Sequence, residues 1–489
     1  MKIHPACLLS LCLLAQSSAQ GLVKLIPQPT NAGDWVVSGD IDGDLMVIGS
    51  LFGDGAAPDS GSAFVYRRGL DGFWEQEANL VGNDVGSGFW FGKHVAIDGD
   101  CVVVGAPQEW LGAPTGNAYV FRYDGANWQQ EAKLSPSDAP TNGRFGAGVS
   151  IDGDYIIVGA YVAFGTGRAY IYHREDGVWV ERARLASPDP CGADSFASHS
   201  VGIRGDIAVV GSRYDNELGS SAGAAFVYRR TGEAWAQEQK LLAADGVAGA
   251  CFGWWAEADA DRIIVGAPFH GGAGSAYVFE RTGNTWTQTA KLVGSDTAGG
   301  DNFGYWTSIR GDWVLVGARY SDSAGSDAGA AYLFHRTDGV WTENSRYTAP
   351  DAAAGDQFGH VCLDEQSVLF GALGDDNEGG IDAGAAYVGS LPLLVPAPVA
   401  DFRGVPLRGK VPLTVRFGDL SLGAITDRLW DFGNGYFSTV PNPIFTFHEP
   451  GIYSIALTVL GPSGASTLVR QDYVEVLPRG PQAQRATSP

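Results

Sequence analysis

The groups through which this chain could catalyse a reaction or hold a metal are scattered. Beyond the first 20 residues it has seven histidines and four cysteines, Cys101, Cys191, Cys251 and Cys362. No H-E-x-x-H, G-x-S-x-G, P-loop or C-x-x-C spacing brings such residues together. Asp194, Ser195 and His199 have the residue types of a hydrolase triad, but they fill a slot that recurs along the chain as Phe-Gly, so no catalysis is expected from them. Two Arg-Gly-Asp triplets, 204–206 and 310–312, stand where other copies read Asp-Gly-Asp, so turn geometry accounts for them. Cys101 and Cys362 lie in apolar runs and read as small buried hydrophobes. Cys191 and Cys251 occupy equivalent loops, which leaves a disulfide between them open. Two sets of residues remain. Asp375, Asp376, Asn377 and Asp382 offer hard oxygen ligands of the kind calcium takes, and 215–217 and 322–327 are weaker versions of the same cluster. Phe52, Tyr161, Tyr214, Phe269 and Tyr320, with Trp110 nearby, open variable loops where a sugar or peptide would stack on their rings. Trp254-Trp255 and Tyr305-Trp306 are expected near the same surface.

The elements that position these residues are repeats. Ile-Asp-Gly-Asp occurs at 41–44, 97–100 and 151–154, Ile-Arg-Gly-Asp at 203–206 and 309–312, and weaker copies at 258–261 and 363–366. The seven copies are 51–56 residues apart. Each copy has four short Val/Ile/Tyr/Phe-rich runs bounded by Gly or Asp, which predicts strands and not helices. The first two runs are joined by a two-residue turn rich in glycine, as a tight hairpin needs. Four strands in each of seven copies describe a seven-bladed β-propeller. The seventh copy lacks a fourth strand after Ala385-Ala386-Tyr387-Val388, while Leu22-Val23-Lys24-Leu25 precedes the first copy and looks like one. Placing residues 22–25 on the last blade closes the ring and removes its open edges. A tryptophan begins the fourth strand in six copies (Trp74 and Trp128 are the first two), a fixed register that predicts packing between blades.

Composition agrees with this reading. Gly is 69 of 489 residues and hydrophobic residues are 45%, as expected for an all-β chain with many turns. The net charge of −23 disfavours nucleic-acid binding. Residues 20–390 carry −25 and residues 391–489 carry +1, so the acidity belongs to the repeats. Residues 1–19, with Lys2, an apolar run from Ala6 to Ala15 and Ser17-Ser18-Ala19, read as a secretory signal peptide. No apolar run reaches spanning length, so the expected product is exported, without a membrane span, and monomeric.

The recurring Phe-Gly followed by Gly-Ala-Pro, clearest at Phe91-Gly92…Gly105-Ala106-Pro107 and Phe252-Gly253…Gly266-Ala267-Pro268, resembles the FG-GAP repeat. That resemblance covers about residues 20–391 and implies the propeller of integrin α-subunit heads and bacterial surface proteins. The D-x-D-x-D-G calcium loop frequent in integrin blades is missing. Residues 399–478 resemble a PKD domain through Pro412–Phe417, Trp430-Asp431-Phe432-Gly433-Asn434-Gly435 and Pro450–Val459. An Ig-like β-sandwich with Trp430 in its core is implied. Residues 392–398 read as a linker and 479–489 as a loose tail. Together the resemblances imply a secreted or cell-surface binding or adhesion protein without catalysis. Its propeller loops would meet an extracellular glycan or protein, with PKD as spacer or accessory module. The alternative is an exported polysaccharide hydrolase or lyase with its site on the propeller face.

Overall fold

The computed structural model describes residues 21–108, 115–138, 142–161, 166–187, 195–392, 398–423, 425–461 and 464–479. The signal segment 1–19, Trp110, Cys191, residues 393–397 of the linker and residues 480–489 of the tail lie outside them. The described residues are strands, turns and loops, with no helix among them. The chain divides into two compact units, Met1–Leu391 and Pro392–Pro489.

The first unit contains seven four-stranded antiparallel sheets. In six, the strands follow chain order, as in Val95–Asp98, Cys101–Ala106, Asn117–Tyr123 and Trp128–Leu134. The seventh takes Phe358–Leu363, Ser367–Ala372 and Ala385–Ser390 from the end of the unit and Val23–Leu25 from its beginning. Lys24 lies opposite Tyr387 in that pairing. The first strands of all seven sheets line one central channel. Second strands such as Cys101–Ala106 and Ser367–Ala372 are buried at every position, because neighbouring sheets cover both faces. Fourth strands alternate, as in Trp74–Leu80, since only one face is covered.

The repeat signature is the contact between sheets. A Cβ on Gly105 would stand 2.1 Å from the Gly146 carbonyl oxygen of the next sheet. Gly211 against Gly253, Gly266 against Gly304 and Gly317 against Gly359 repeat this at 1.9–2.1 Å. The glycine of Gly-Ala-Pro is therefore required by the backbone of the next Phe-Gly, which no side chain could approach so closely. The Asp-Gly-Asp turns work the same way. The first Asp accepts the Gly N–H of the next turn: Gly99 to Asp42 at 2.7 Å, Gly153 to Asp98 at 2.6 Å, Gly205 to Asp152 at 2.8 Å. Gly43 of the first sheet donates to Asp364 of the last at 3.0 Å, which seals the ring. The second Asp pairs with an arginine of its own third strand, as Asp44 does with Arg68 at 2.7 Å. The tryptophans bridge sheets too: Trp128, Trp179 and Trp286 donate Nε1–H to Glu77, Glu131 and Glu238 of the preceding fourth strand at 2.9–3.3 Å.

The second unit is a β-sandwich of a three-stranded and a five-stranded sheet. Trp430 is fully buried among Phe402, Phe417, Phe432 and Leu457. Ile455, Leu457 and Val459 form the buried face of Gly451–Gly461. Asp431 accepts the Gly433 N–H at 2.8 Å and Asn434 accepts that of Tyr436 at 3.3 Å.

Candidate functional site

Each sheet presents two kinds of connection. The tight turns between first and second strands lie at one end of the channel. The longer loops after the second and fourth strands lie at the other, and the aromatic candidates begin there. Tyr214, Phe269 and Tyr320 come from three successive sheets and are joined into one patch by residues that open first strands. Trp254 meets Phe269 at 5.3 Å and Tyr305 at 4.9 Å between ring centroids. The Arg213 guanidinium lies 4.4 Å over Trp254 and 5.0 Å over Tyr214. Arg319 lies 5.3 Å over Tyr305 and 5.1 Å over Tyr320. Phe269 is exposed and the others are half-buried.

Tyr161 does not touch these three rings but meets His199 at 5.7 Å between ring centroids, with the Arg144 guanidinium 4.8 Å over its own ring. Phe52 belongs to another cluster, 5.5 Å from Trp35 and 6.0 Å from Trp90, beside an open depression of about 460 Å³ that Asp59, Ser87 and Gly88 complete. Of the five described candidates the structure therefore brings three together. The rings of this patch are framed by arginines. The missed signal was the pair Arg213-Tyr214 and Arg319-Tyr320, one dipeptide in one slot of two repeats.

The patch runs into the channel. Tyr305 meets Trp306 at 4.5 Å, Trp306 meets His360 at 5.2 Å, and Trp255, His94 and His199 continue the series. Burial holds His94 and His199 well below the usual histidine range, with Lys93 adding to it, and lowers His360 to about 3. Three neutral imidazoles thus close this end. Below them lies a cavity of about 110 Å³, room for a few waters. Glu257, Asp40, Arg310 and Cys362 line it. Burial raises Glu257 to about 8, against the opposing Arg310 charge. Burial also raises Asp40, although Cys362 Sγ donates to it at 3.0 Å and the Ile97 N–H at 2.8 Å. Glu257 and Asp40 are a carboxyl pair that sequence reasoning did not mark, since the pairing is across the ring.

The calcium candidates face other partners. Asp375 is almost fully buried, 2.7 Å from Lys24 Nζ, and accepts the Tyr387 hydroxyl at 2.5 Å. The lysine of the closing strand occupies the place of a cation. Asp376 accepts the Asp382 N–H at 2.9 Å, and Asn377 accepts that of Gly379 at 2.8 Å and donates to the Gly384 carbonyl at 2.9 Å. These groups fold the loop itself. Asp215 is likewise 2.9 Å from Lys240. Among the described residues, one group has metal-compatible geometry, His173 with Glu175 and Glu233, at 3.1 and 3.4 Å. Arg182 already pairs with Glu175 there. The arginines of the Arg-Gly-Asp turns pair with the preceding turns, Arg204 with Asp152 at 3.1 Å and Arg310 with Asp259 at 3.5 Å, while the Gly and Asp of both triplets are exposed. Cys101, Cys251 and Cys362 are buried free thiols.

The chain belongs to the FG-GAP repeat family, which matches residues 74–121, 128–172, 179–228, 235–279, 286–334 and 341–389. Each match begins on the fourth strand of one sheet and ends on the third of the next. A PKD domain matches residues 395–476. No curated protein matches. A solved structure described for the promiscuous specificity of carbohydrate-binding modules of the β-sandwich superfamily is similar at 30% identity over 17% of this chain, with a TM-score of 0.16. The match spans about a third (34%) of that chain. The PKD1 domain of the Vibrio cholerae metalloprotease PrtV is 33% identical over 16% of this chain and 99% of its own, with a TM-score of 0.15. A putative 6-phosphogluconolactonase from Bacteroides fragilis is 12% identical over 64% of this chain and 84% of its own, with a TM-score of 0.43. FG-GAP and PKD domains together fit an extracellular binding or adhesion role, and no helix among the described residues is long and apolar enough to cross a membrane.

Proposed function

We propose that this is a secreted, non-catalytic binding protein whose propeller loop face recognises an extracellular glycan, with the PKD unit as spacer or accessory module. The observation that carries the reading is the joined patch of Trp254, Phe269, Tyr305 and Tyr320, drawn from successive sheets around the channel mouth. Ring faces held rigid by a closed scaffold lose little entropy on binding, and they suit the flat C–H faces of sugars. The reading as a hydrolase or lyase has one supporting feature, the carboxyl pair Glu257 and Asp40. Their cavity of about 110 Å³ is well below the roughly 300 Å³ at which small-molecule pockets begin, which favours binding over turnover.

The test is a glycan array probed with the full chain, run beside an assay for reducing-sugar release. Retention on a subset of glycans, lost in Trp254→Ala and without sugar release, is the expected result. Release of sugar that stops on mutating Asp40 or Glu257 would replace this reading with the enzymatic one.

A further inference from the structure

We infer that the loop-face patch takes an acidic saccharide, anchored through its carboxylate or sulfate by Arg213 and Arg319. The inference rests on the reading of that face as the recognition surface and specifies its ligand.

Charge bookkeeping singles these arginines out. Residues 20–390 carry a net charge of −25. Most lysines and arginines in this unit pair with carboxylates, as in Arg68–Asp44, Arg229–Glu238, Lys291–Asp245 and Arg346–Asp296. Arg213 and Arg319 have no carboxylate partner among the described residues. Arg213 is held by ring faces, and its Nε is buried without an acceptor. Arg319 is held by neutral oxygens, donating Nε–H to Gln357 Oε1 at 2.7 Å and Nη1–H to the Tyr305 hydroxyl at 3.4 Å. An acidic protein has abundant carboxylates for neutralising two cations, yet here the positions are fixed by neutral groups and the charge is left uncompensated.

Their placement is that of a clamp. Trp254 and Tyr305 touch at 4.9 Å, Arg213 covers the former and Arg319 the latter. The aromatic platform is therefore flanked by a guanidinium on each side. A planar guanidinium offers paired N–H donors that match carboxylate and sulfate oxygens. A uronate or sulfated sugar combines the two requirements, an apolar ring face and an anionic group beside it. An acidic peptide would have the charge but no main-chain purchase. The backbone at this face is already used between sheets, in the bridges Gly223↔Phe252, Gly274↔Phe303 and Gly329↔Phe358, so no strand edge is open to it.

The experiment uses the full chain and four probes: polygalacturonate, the same polymer fully methyl-esterified, heparin and poly-glutamate. Affinity is read by calorimetry and affinity electrophoresis for wild type, Arg213→Gln/Arg319→Gln and Trp254→Ala, with thermal melts confirming folding. Polygalacturonate or heparin is expected to bind and to lose at least tenfold in the double arginine variant. Methyl esterification is expected to cost at least as much, and added salt to weaken binding. Equal binding of the esterified polymer, an unaffected arginine variant, preference for poly-glutamate or failure of every probe to bind would each overturn the inference. If neutral polymer binds and Trp254→Ala abolishes it, the recognition face stands and the anion anchors fall. If acidic glycan binds and neither variant weakens it, both fall.

Discussion

Replacing Lys24 by methionine removes the one charged side chain with which the closing strand grips the last sheet. In the wild type its ammonium lies 2.7 Å from both Asp351 and Asp375. The two carboxylates are not equivalent. Asp351 is 49% exposed and can regain water, so losing its partner costs about 0–1 kcal/mol. Asp375 is 2% exposed, and removing one member of a buried pair costs about 3–5 kcal/mol. Lys24 is itself 23% exposed, and the Tyr387 hydroxyl stays within hydrogen-bond reach of both carboxylates, with one proton to donate, so the lower figure, about 3 kcal/mol, is expected. At about 2.1 cal/mol/K per residue over the roughly 370 residues of the ring, that is a fall in Tm of about 4 °C. The partner variant is Asp375→Asn. The asparagine keeps an acceptor for Tyr387 and removes the stranded charge, so Lys24→Met/Asp375→Asn should recover most of the loss. Calorimetry of the four members of this cycle measures the coupling directly. A Lys24→Met protein melting within about half a degree of wild type would refute the argument, as would a double variant less stable than Lys24→Met.

Gly266→Ala puts a Cβ 2.0 Å from the Gly304 carbonyl oxygen and should cost about 3 kcal/mol or more in thermal unfolding. Glu257 is raised to about 8, so the stability it contributes is complete below its unfolded pKa near 4.5 and is lost as pH rises through 8. Glu257→Gln should flatten that alkaline loss, which reaches up to about 5 kcal/mol; urea midpoints from pH 5 to 9 that fall equally in both proteins would count against it. His360 has the opposite sign: lowered to about 3, its contribution is complete above pH 6.5 and declines as the solution is acidified toward 3. His360→Gln should therefore retain more of its own neutral-pH stability at pH 4 than wild type does, as urea midpoints at the two pH values would show. Trp430→Ala should destabilise the PKD unit by about 3–5 kcal/mol, seen as a shifted or missing transition, while the propeller transition holds its place.

The architecture was legible because its determinants are local and recur. Phe-Gly, Gly-Ala-Pro and Asp-Gly-Asp each occupy a fixed register, and a one-residue slip would drive side chains into the next sheet's backbone. The closing strand was legible for the same reason, since residues 22–25 repeat a pattern found at the end of other copies. The site was less so. Tyr214, Phe269 and Tyr320 were found from their slot, but nothing local tells that they meet while Phe52 and Tyr161 do not; that depends on the side chains opening neighbouring first strands. Glu257 and Asp40 approach each other only because the ring closes. Asp375 looked like a metal ligand because its natural partner, Lys24, is some 350 positions away along the chain.

The strand Val23–Leu25 is synthesised before any sheet and finds its place after all of them. Until Ala385–Ser390 has emerged, its hydrogen-bonding groups and the apolar side chains of Leu22 and Leu25 have no destination. The chain must carry this latch unengaged past six completed sheets. Every earlier sheet can assemble from contiguous chain as it is made, whereas the last step joins the first strand of this unit to its last and turns an open arc into a hoop. A truncation anywhere before residue 390 would therefore leave both ends of the arc unlatched, however well the remaining sheets had formed.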